Sequence, residues 1–260
     1  MMSARKSYIF NYHNMLLTQK PVSSHFLMVR CIPYENESLK LVESGFNHYG
    51  FEHLNRGVDS YGNTIIYGGT LKPHRTLSWT SSGILEMCPY RVVNKGSVYI
   101  YTLPSKLTTC TDEMIETLNN LNLLGSVTDR VVYLNSFVHD LVCYTQNVTD
   151  MKTSAAEVFK LKKGVCQDYA HLLIAFLRAL NIPCRYVNGL LLGEGLTHAW
   201  VEVLIGDTWY GFDPTHANEI DYGYIKLSHG VDVNSCQVCR GVFTSYSEQT
   251  MAVHVSVGEV

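Results

Sequence analysis

The chain has 260 residues, 46% of them hydrophobic and 17% charged, with a net charge of −3 and a pI near 6.4. That length suits one large domain or two modest ones, and the apolar fraction supports a substantial core and excludes a disordered chain. The charge balance offers neither a basic footprint for nucleic acid nor a polybasic stripe for a membrane surface.

The first stretch, MMSARKSYIFNYHNMLLTQKP, lacks the roughly 7–15-residue apolar region of a secretory signal. No apolar run reaches the roughly 18 residues of a membrane helix. A soluble, cytoplasmic protein is the expectation. The eight cysteines, at 31, 88, 110, 143, 166, 184, 236 and 239, follow no tight framework. In a reducing compartment they are mostly free thiols, many of them buried.

Residues 1–104 read as β-rich. HFLMVRCIP, NTIIYGGTL and SVYIYTL are strand-like runs, and DSYGN at Asp59–Asn63 is a loop or hairpin connection. No helical pattern interrupts them, which predicts a small β-sandwich or barrel-like domain. Near Pro104 the pattern changes. Thr111 can cap a helix through DEMIETLNNLNLL, with Asp112 and Glu113 in its first turn and Gly125 at its end. Thr128 opens a second helix, with Val131, Leu134, Val138 and Leu141 at helical spacing. Ser154 and Glu157 form a capping-box pattern for a third, stopped by Lys162, Lys163 and Gly164. GVCQDYAHLLIAFLRAL then reads as a long apolar helix ending at Asn181, Ile182 and Pro183. Strands follow: CRYVNGLLL, THAWVEVLI, TWYGFD, YIKLS, VFTSYS and MAVHVSV. Residues 105–260 are thus an α+β unit with C-terminal strands.

Cys166 stands at the start of the long helix. Unpaired N–H groups and the positive end of the macrodipole favour thiolate there, and a buried helix is a rigid mount. A structural thiol is the alternative reading. In THAWVEVLIGDTWYGFDP, Gly206 and Asp207 suit a two-residue hairpin turn. Pairing Ile205 with Thr208 sets Trp200 opposite Asp213 and Thr215 opposite His198. His198 and Asp213 then share a face as diagonal neighbours, roughly 7–8 Å between their backbones. An odd-length loop would separate them. A thiol at a helix start, an imidazole and a carboxylate are the parts of a Cys-His-Asp triad. His198 would take and return the proton, and Asp213 would orient the ring. Taken singly, His198 also reads as a satisfied core or edge histidine, and Asp213 as a turn residue before Pro214.

At TSAAEVFKLKKGVCQDYAHLLIAFLRALNIPCRYVNG, THAWVEV and WYGFDPTHA the sequence resembles the transglutaminase-like superfamily, in particular bacterial members described as candidate cysteine proteases. The resemblance runs from about Val131 to Phe243. The early half, with DSYGN, also resembles the β-domain preceding the core in bacterial members, though less specifically. It implies a papain-like, transglutaminase-core α+β fold and amide chemistry through a thioester, on a peptide or protein substrate and without a cofactor. It implies Cys166 as nucleophile, His198 as general base and acid, and Asp213 as orienter. The Cys166 N–H is a candidate oxyanion donor. Gln167 and Asp168 are placed to shape the pocket, and Trp200 to wall it. Two features depart from the family: Cys184 stands where small residues are common, and Cys236–Cys239 replaces a proline-containing stretch.

Other signals are weaker. Cys236 and Cys239 form a CxxC whose nearest histidines, His216 and His229, match no common zinc spacing. His171 is off the line of the nucleophile and reads as a packing residue. The acceptor-like Asn147 motif means nothing without a secretory signal, and Lys152, Lys160, Lys162 and Lys163 read as a solvated helix edge. The leading reading is a cysteine amidase, peptidase or acyl transferase. Its competitors are a non-enzymatic peptide-binding or scaffolding protein on the same fold, and a metal-binding protein built on Cys236 and Cys239.

Overall fold

A computed structural model describes residues 5–260. Its first element is a strand of 24 residues, β1 (Lys6–Val29). Tyr8, Phe10, Tyr12 and Leu16 are buried while alternate residues face outward, the period of two that a one-sided strand requires. β1 bends between Leu17 and Phe26, where Ser24 adopts a left-handed φ of 51°. β2 (Leu39–Tyr49), β3 (His53–Val58), β4 (Thr64–Thr70) and β5 (His74–Met87) follow. The first half of β1 pairs with β5, which carries β2; the second half pairs with β4, which carries β3. One bent strand therefore joins two halves of a sandwich-like layer, in line with the β-rich reading of this half.

The connection from this layer holds β6 (Val92–Val93) and a single 3₁₀ turn at Tyr99–Tyr101. SVYIYTL is therefore not a strand. Its alternation is strand-like, but among the described residues it pairs with no strand. Tyr101 is instead buried as a wall, and its carbonyl accepts from Arg178 Nε at 3.2 Å.

Helices α1 (Asp112–Asn120), α2 (Val127–Leu141), α3 (Ala155–Leu161) and α4 (Cys166–Ala179) come next. Thr111 caps α1, which stops at Asn120, short of Gly125. α2 starts from Ser126 rather than Thr128, because Ser126 and Asp129 close a reciprocal capping box. Ser154 and Glu157 close the same box on α3. Two short strands, β7 (Cys143–Tyr144) and β8 (Lys163–Gly164), pair in parallel and tether the turn into α4. None of the described helices is long and apolar enough to cross a membrane.

The remaining strands are β9 (Cys184–Leu191), β10 (Gly193–Gly195), β11 (His198–Ile205), β12 (Thr208–Asp213), β13 (Asn218–Glu219), β14 (Tyr224–Gly230), β15 (Cys239–Thr244) and β16 (Gln249–Glu259). β13, β12, β11, β9 and β14 form an antiparallel sheet in that order, with β6 beside β12. β15 and β16 pair with β1, so the N-terminal layer is closed by the end of the chain.

This central sheet is covered on both faces. Cys184, Tyr186, Ala199, Val201, Val203 and Phe212 pack against α4 in one apolar cluster. Val187, Trp200, Trp209, Ile225 and Leu227 pack toward the N-terminal layer in another. Two polar pins join the layers. Asn63, at the end of the DSYGN hairpin, exchanges hydrogen bonds with the His229 backbone at 2.8 and 2.9 Å. The buried Arg178 guanidinium donates to the carbonyls of Tyr101, Cys184 and Val231 and to the Thr108 hydroxyl. The whole is an α+β fold, with helices on one face of an antiparallel sheet and the N-terminal layer on the other.

Candidate active site

Cys166 is the first residue of α4, half-buried at the edge of a cleft of about 760 Å³. Val165 has no side-chain acceptor for the helix start. Asp168 reaches back instead and accepts from the Val165 N–H at 2.7 Å and the Thr149 hydroxyl at 2.6 Å. The turn needs Gly164: a Cβ there would lie 2.6 Å from the Asp168 side chain. Asp168 is fully buried, and burial raises its carboxyl above its ordinary value. It shapes the loop from behind and does not line the cleft.

The hairpin register is the expected one, with Ile205 paired to Thr208 and Val201 to Phe212. His198 begins β11 and Asp213 ends β12, and His198 Nε2 meets Asp213 Oδ2 at 2.7 Å. That bond commits Nε2 to the carboxylate and leaves Nδ1 as the ring nitrogen available to a thiol. Cys166 interacts with the His198 side chain, and both residues border the cleft.

Two further residues hold the carboxylate, and sequence reasoning missed both in this role. His216 Nδ1 donates to Asp213 Oδ2 at 2.7 Å, and the Tyr224 hydroxyl donates at 2.8 Å. Asp213 Oδ1 accepts from the Thr215 N–H at 2.8 Å. His216 lies in the quoted WYGFDPTHA motif but was weighed as a zinc ligand. Tyr224 sits on β14, and nothing in the local sequence links it to Asp213.

The electrostatics follow from these contacts. Burial works to raise the Asp213 carboxyl, but bonds from His198 and His216 outweigh it and hold it well below the usual range. Burial works to lower the His198 imidazole; the bonds with Asp213 and Cys166 prevail and raise it to about 9.

Gln167 borders the cleft beside Cys166, its Nε2 donating to the Asp150 carbonyl at 3.2 Å. Trp200 does not wall the cleft as expected. It is fully buried behind His198, ring centroids 6.4 Å apart, and its indole N–H donates to the Tyr90 hydroxyl. Gly189 admits this indole: a Cβ there would lie 2.2 Å from the Trp200 ring. Tyr186 and Asn188, unforeseen, form part of the cleft floor. His171 is buried, accepts from the Val233 N–H at 3.2 Å and is lowered by burial to about 4, a packing residue as read. The CxxC does not assemble a site. Cys236 is buried with its sulfur on the Asp232 carbonyl, while Cys239 pairs with Val29 in the N-terminal layer. Among the described residues, the one trio of possible metal-ligand atoms is His198, Asp213 and His216, within 4.8 Å of one another. Its atoms already hydrogen-bond to each other.

A helix-borne thiol and a buried His–Asp pair thus border one cleft. Residues 118–214 match the family described as the Transglutaminase-like superfamily. Those residues thus resemble a transglutaminase-like core. The chain is 29% identical to the uncharacterized protein Rv2569c of Mycobacterium tuberculosis, over 78% of this chain and 76% of that one. It is 23% identical to ML0607 of Mycobacterium leprae, over 92% and 94%. A crystal structure of a candidate cysteine protease from Cytophaga hutchinsonii superposes with a TM-score of 0.84 over 99% of this chain and 92% of that one. At 19% identity that likeness is one of fold.

Proposed function

We propose that the protein is a cysteine-dependent hydrolase or acyl transferase acting on amide bonds of peptides or proteins, with Cys166, His198 and Asp213 as its triad. One observation carries this reading: the Cys166 sulfur and the Asp213-bound imidazole of His198 share one open cleft.

The steps follow from the geometry. His198 takes the thiol proton as sulfur attacks the substrate carbonyl, and negative charge gathers on its oxygen. The Cys166 N–H, which has no partner inside the helix, is suited to receive that charge. His198 then returns its proton to the leaving amine, and a thioester remains on Cys166. Water or a second amine attacks the thioester, His198 removes the incoming proton, and the thiolate is released. Asp213 keeps the ring oriented and offsets the imidazolium charge. Gln167 contributes to the substrate-binding wall. The unpaired state of all eight cysteines supports a reducing location such as the cytoplasm.

Labelling with an iodoacetamide probe at mildly acidic pH, read by peptide mass mapping, tests the nucleophile. Residue 166 should label first. Cys166→Ala should lose that label and all turnover of a peptide and isopeptide library. Equal labelling of both proteins would end the proposal.

A further inference from the structure

The cleft of Cys166 has an apolar rim. Tyr144, Met151, Leu192, Leu196 and Met251 all line it, and each is between 46% and 64% exposed. Large apolar side chains gathered in the open around one cleft mark a surface that another molecule covers. The polar lining is almost all neutral. Beyond the triad its one acidic or basic member is Glu194, which is exposed and which no cation pairs among the described residues.

The backbone at Glu194 is open as well. β10 stands at the end of its sheet, with Gly193, Glu194 and Gly195 paired to Val257, Ser256 and Val255 of β16 on one side only. All three residues are exposed, and no strand takes up the other edge. Such an edge is a template for a further strand. A Cβ at Gly193 or Gly195 would meet nothing within 4 Å, so another backbone has room to approach. The same segment runs on into His198 at the start of β11.

Leu192, Glu194 and Leu196 are alternate residues of this segment, and all three border the cleft. An extended chain laid along β10 faces them with its own alternate side chains. We propose that the cleft selects an extended polypeptide segment in which two large apolar residues flank a basic one at alternate positions, docked as an added strand on the free edge of β10. The apolar side chains cover Leu192, Leu196 and the rim, and the basic one meets Glu194. Main-chain bonds to the edge supply affinity that does not depend on sequence, and the side chains supply the choice. An acidic segment is repelled by the one carboxylate it meets there. This specificity rests on the reading of Cys166 as nucleophile, because the docked segment is the one whose amide reaches that sulfur.

Binding to the full-length Cys166→Ala protein tests it without requiring turnover. Fluorescence anisotropy would use labelled, capped peptides LTKTL, LTETL and STKTS, and LTKTL methylated on its backbone nitrogens. LTKTL should bind saturably, and each of the other three about tenfold more weakly. Glu194→Lys, an exposed substitution made in the same background, should reverse the order of LTKTL and LTETL. Leu196→Asp should bring LTKTL down toward STKTS. Equal binding of LTKTL and LTETL, an unchanged order in Glu194→Lys, no loss on methylation, or no saturable binding of any peptide would overturn the assignment. Failure of the nucleophile reading shows separately, in the labelling of residue 166.

Discussion

Asp213 and Glu202 are both fully buried carboxylates on adjacent strands of one sheet, yet their surroundings differ in kind. Asp213 is held by two imidazoles and a phenol, groups whose protons can move, and one of them borders an open cleft. Glu202 is held by Arg185 and Lys226, both buried. Both carboxyls are kept ionised: against burial, Arg185 and Lys226 lower Glu202 to about 2. Equal burial therefore serves different ends. The first arrangement suits proton transfer at the cleft, and the second holds charge still between two layers.

Substitution at each carboxylate should separate these roles most sharply. Asp213→Asn is expected to lower amide turnover by roughly 10³–10⁴-fold, since the ring loses its orienter and the imidazolium its counter-charge. Its urea midpoint should move far less than its rate. Glu202→Gln should do the reverse, since it leaves the buried Arg185 guanidinium without its carboxylate, a loss on the order of 3–5 kcal/mol. The folded fraction should retain turnover within a few-fold. A comparable loss of turnover in both variants would dissolve the distinction.

The pH dependence sharpens it further. His198 is raised to about 9 from an ordinary 6.5. Its contribution to stability is full below pH 6.5 and fades as pH rises through about 9. Lys226 runs the other way. Burial, then Arg185, lower it to about 7 from 10.5 against the pull of Glu202. The unfolded chain binds more protons between those values, so this contribution makes stability rise from pH 7 toward 10.5. The two slopes oppose each other between pH 7 and 9. Lys226→Met should unmask a fall in urea stability across that window, and an unchanged profile would contradict it. Turnover, where the leaving amine needs the His198 proton, should decline above pH 9 in both proteins.

The two clusters were unequally legible in sequence. Asp213 was readable because a two-residue turn at Gly206 and Asp207 fixes parity along a single hairpin, and Cys166 because a helix start is a local pattern. Glu202 was not readable. Its partners come from β9 and β14, and the register between non-consecutive strands is set by packing. The same gap hid Tyr224 and misplaced Trp200. Alternation puts Trp200 on the face of His198, but only the N-terminal layer, delivering Tyr90, shows that face to be sealed there. The end of β1 is legible in HFLMV, but its first part went unread because its buried face includes Asn14, and its Tyr8, Phe10 and Tyr12 rings alternate with Ile9 and Asn11. The tail strands gave no sign that they would close the first layer.

The smallest expected effects lie among the donors to Asp213. His216 and Tyr224 bond the same carboxylate oxygen at 2.7 and 2.8 Å, but His216 is half-exposed and Tyr224 is buried. Water can replace an exposed donor and cannot readily replace a sealed one, where a bond to a charged group is worth about 1.5–3 kcal/mol. Tyr224→Phe should therefore loosen Asp213 and reduce turnover about tenfold. It should also lower the pH at which turnover declines, because a carboxylate less firmly held supports His198 less well. His216→Asn should change turnover only a few-fold and leave the alkaline decline close to pH 9. Should His216→Asn prove the more damaging of the two, His216 would be touching substrate or taking part in proton transfer. Asp213 would then be one carboxylate shared by two working histidines, and the contrast with Glu202 would widen.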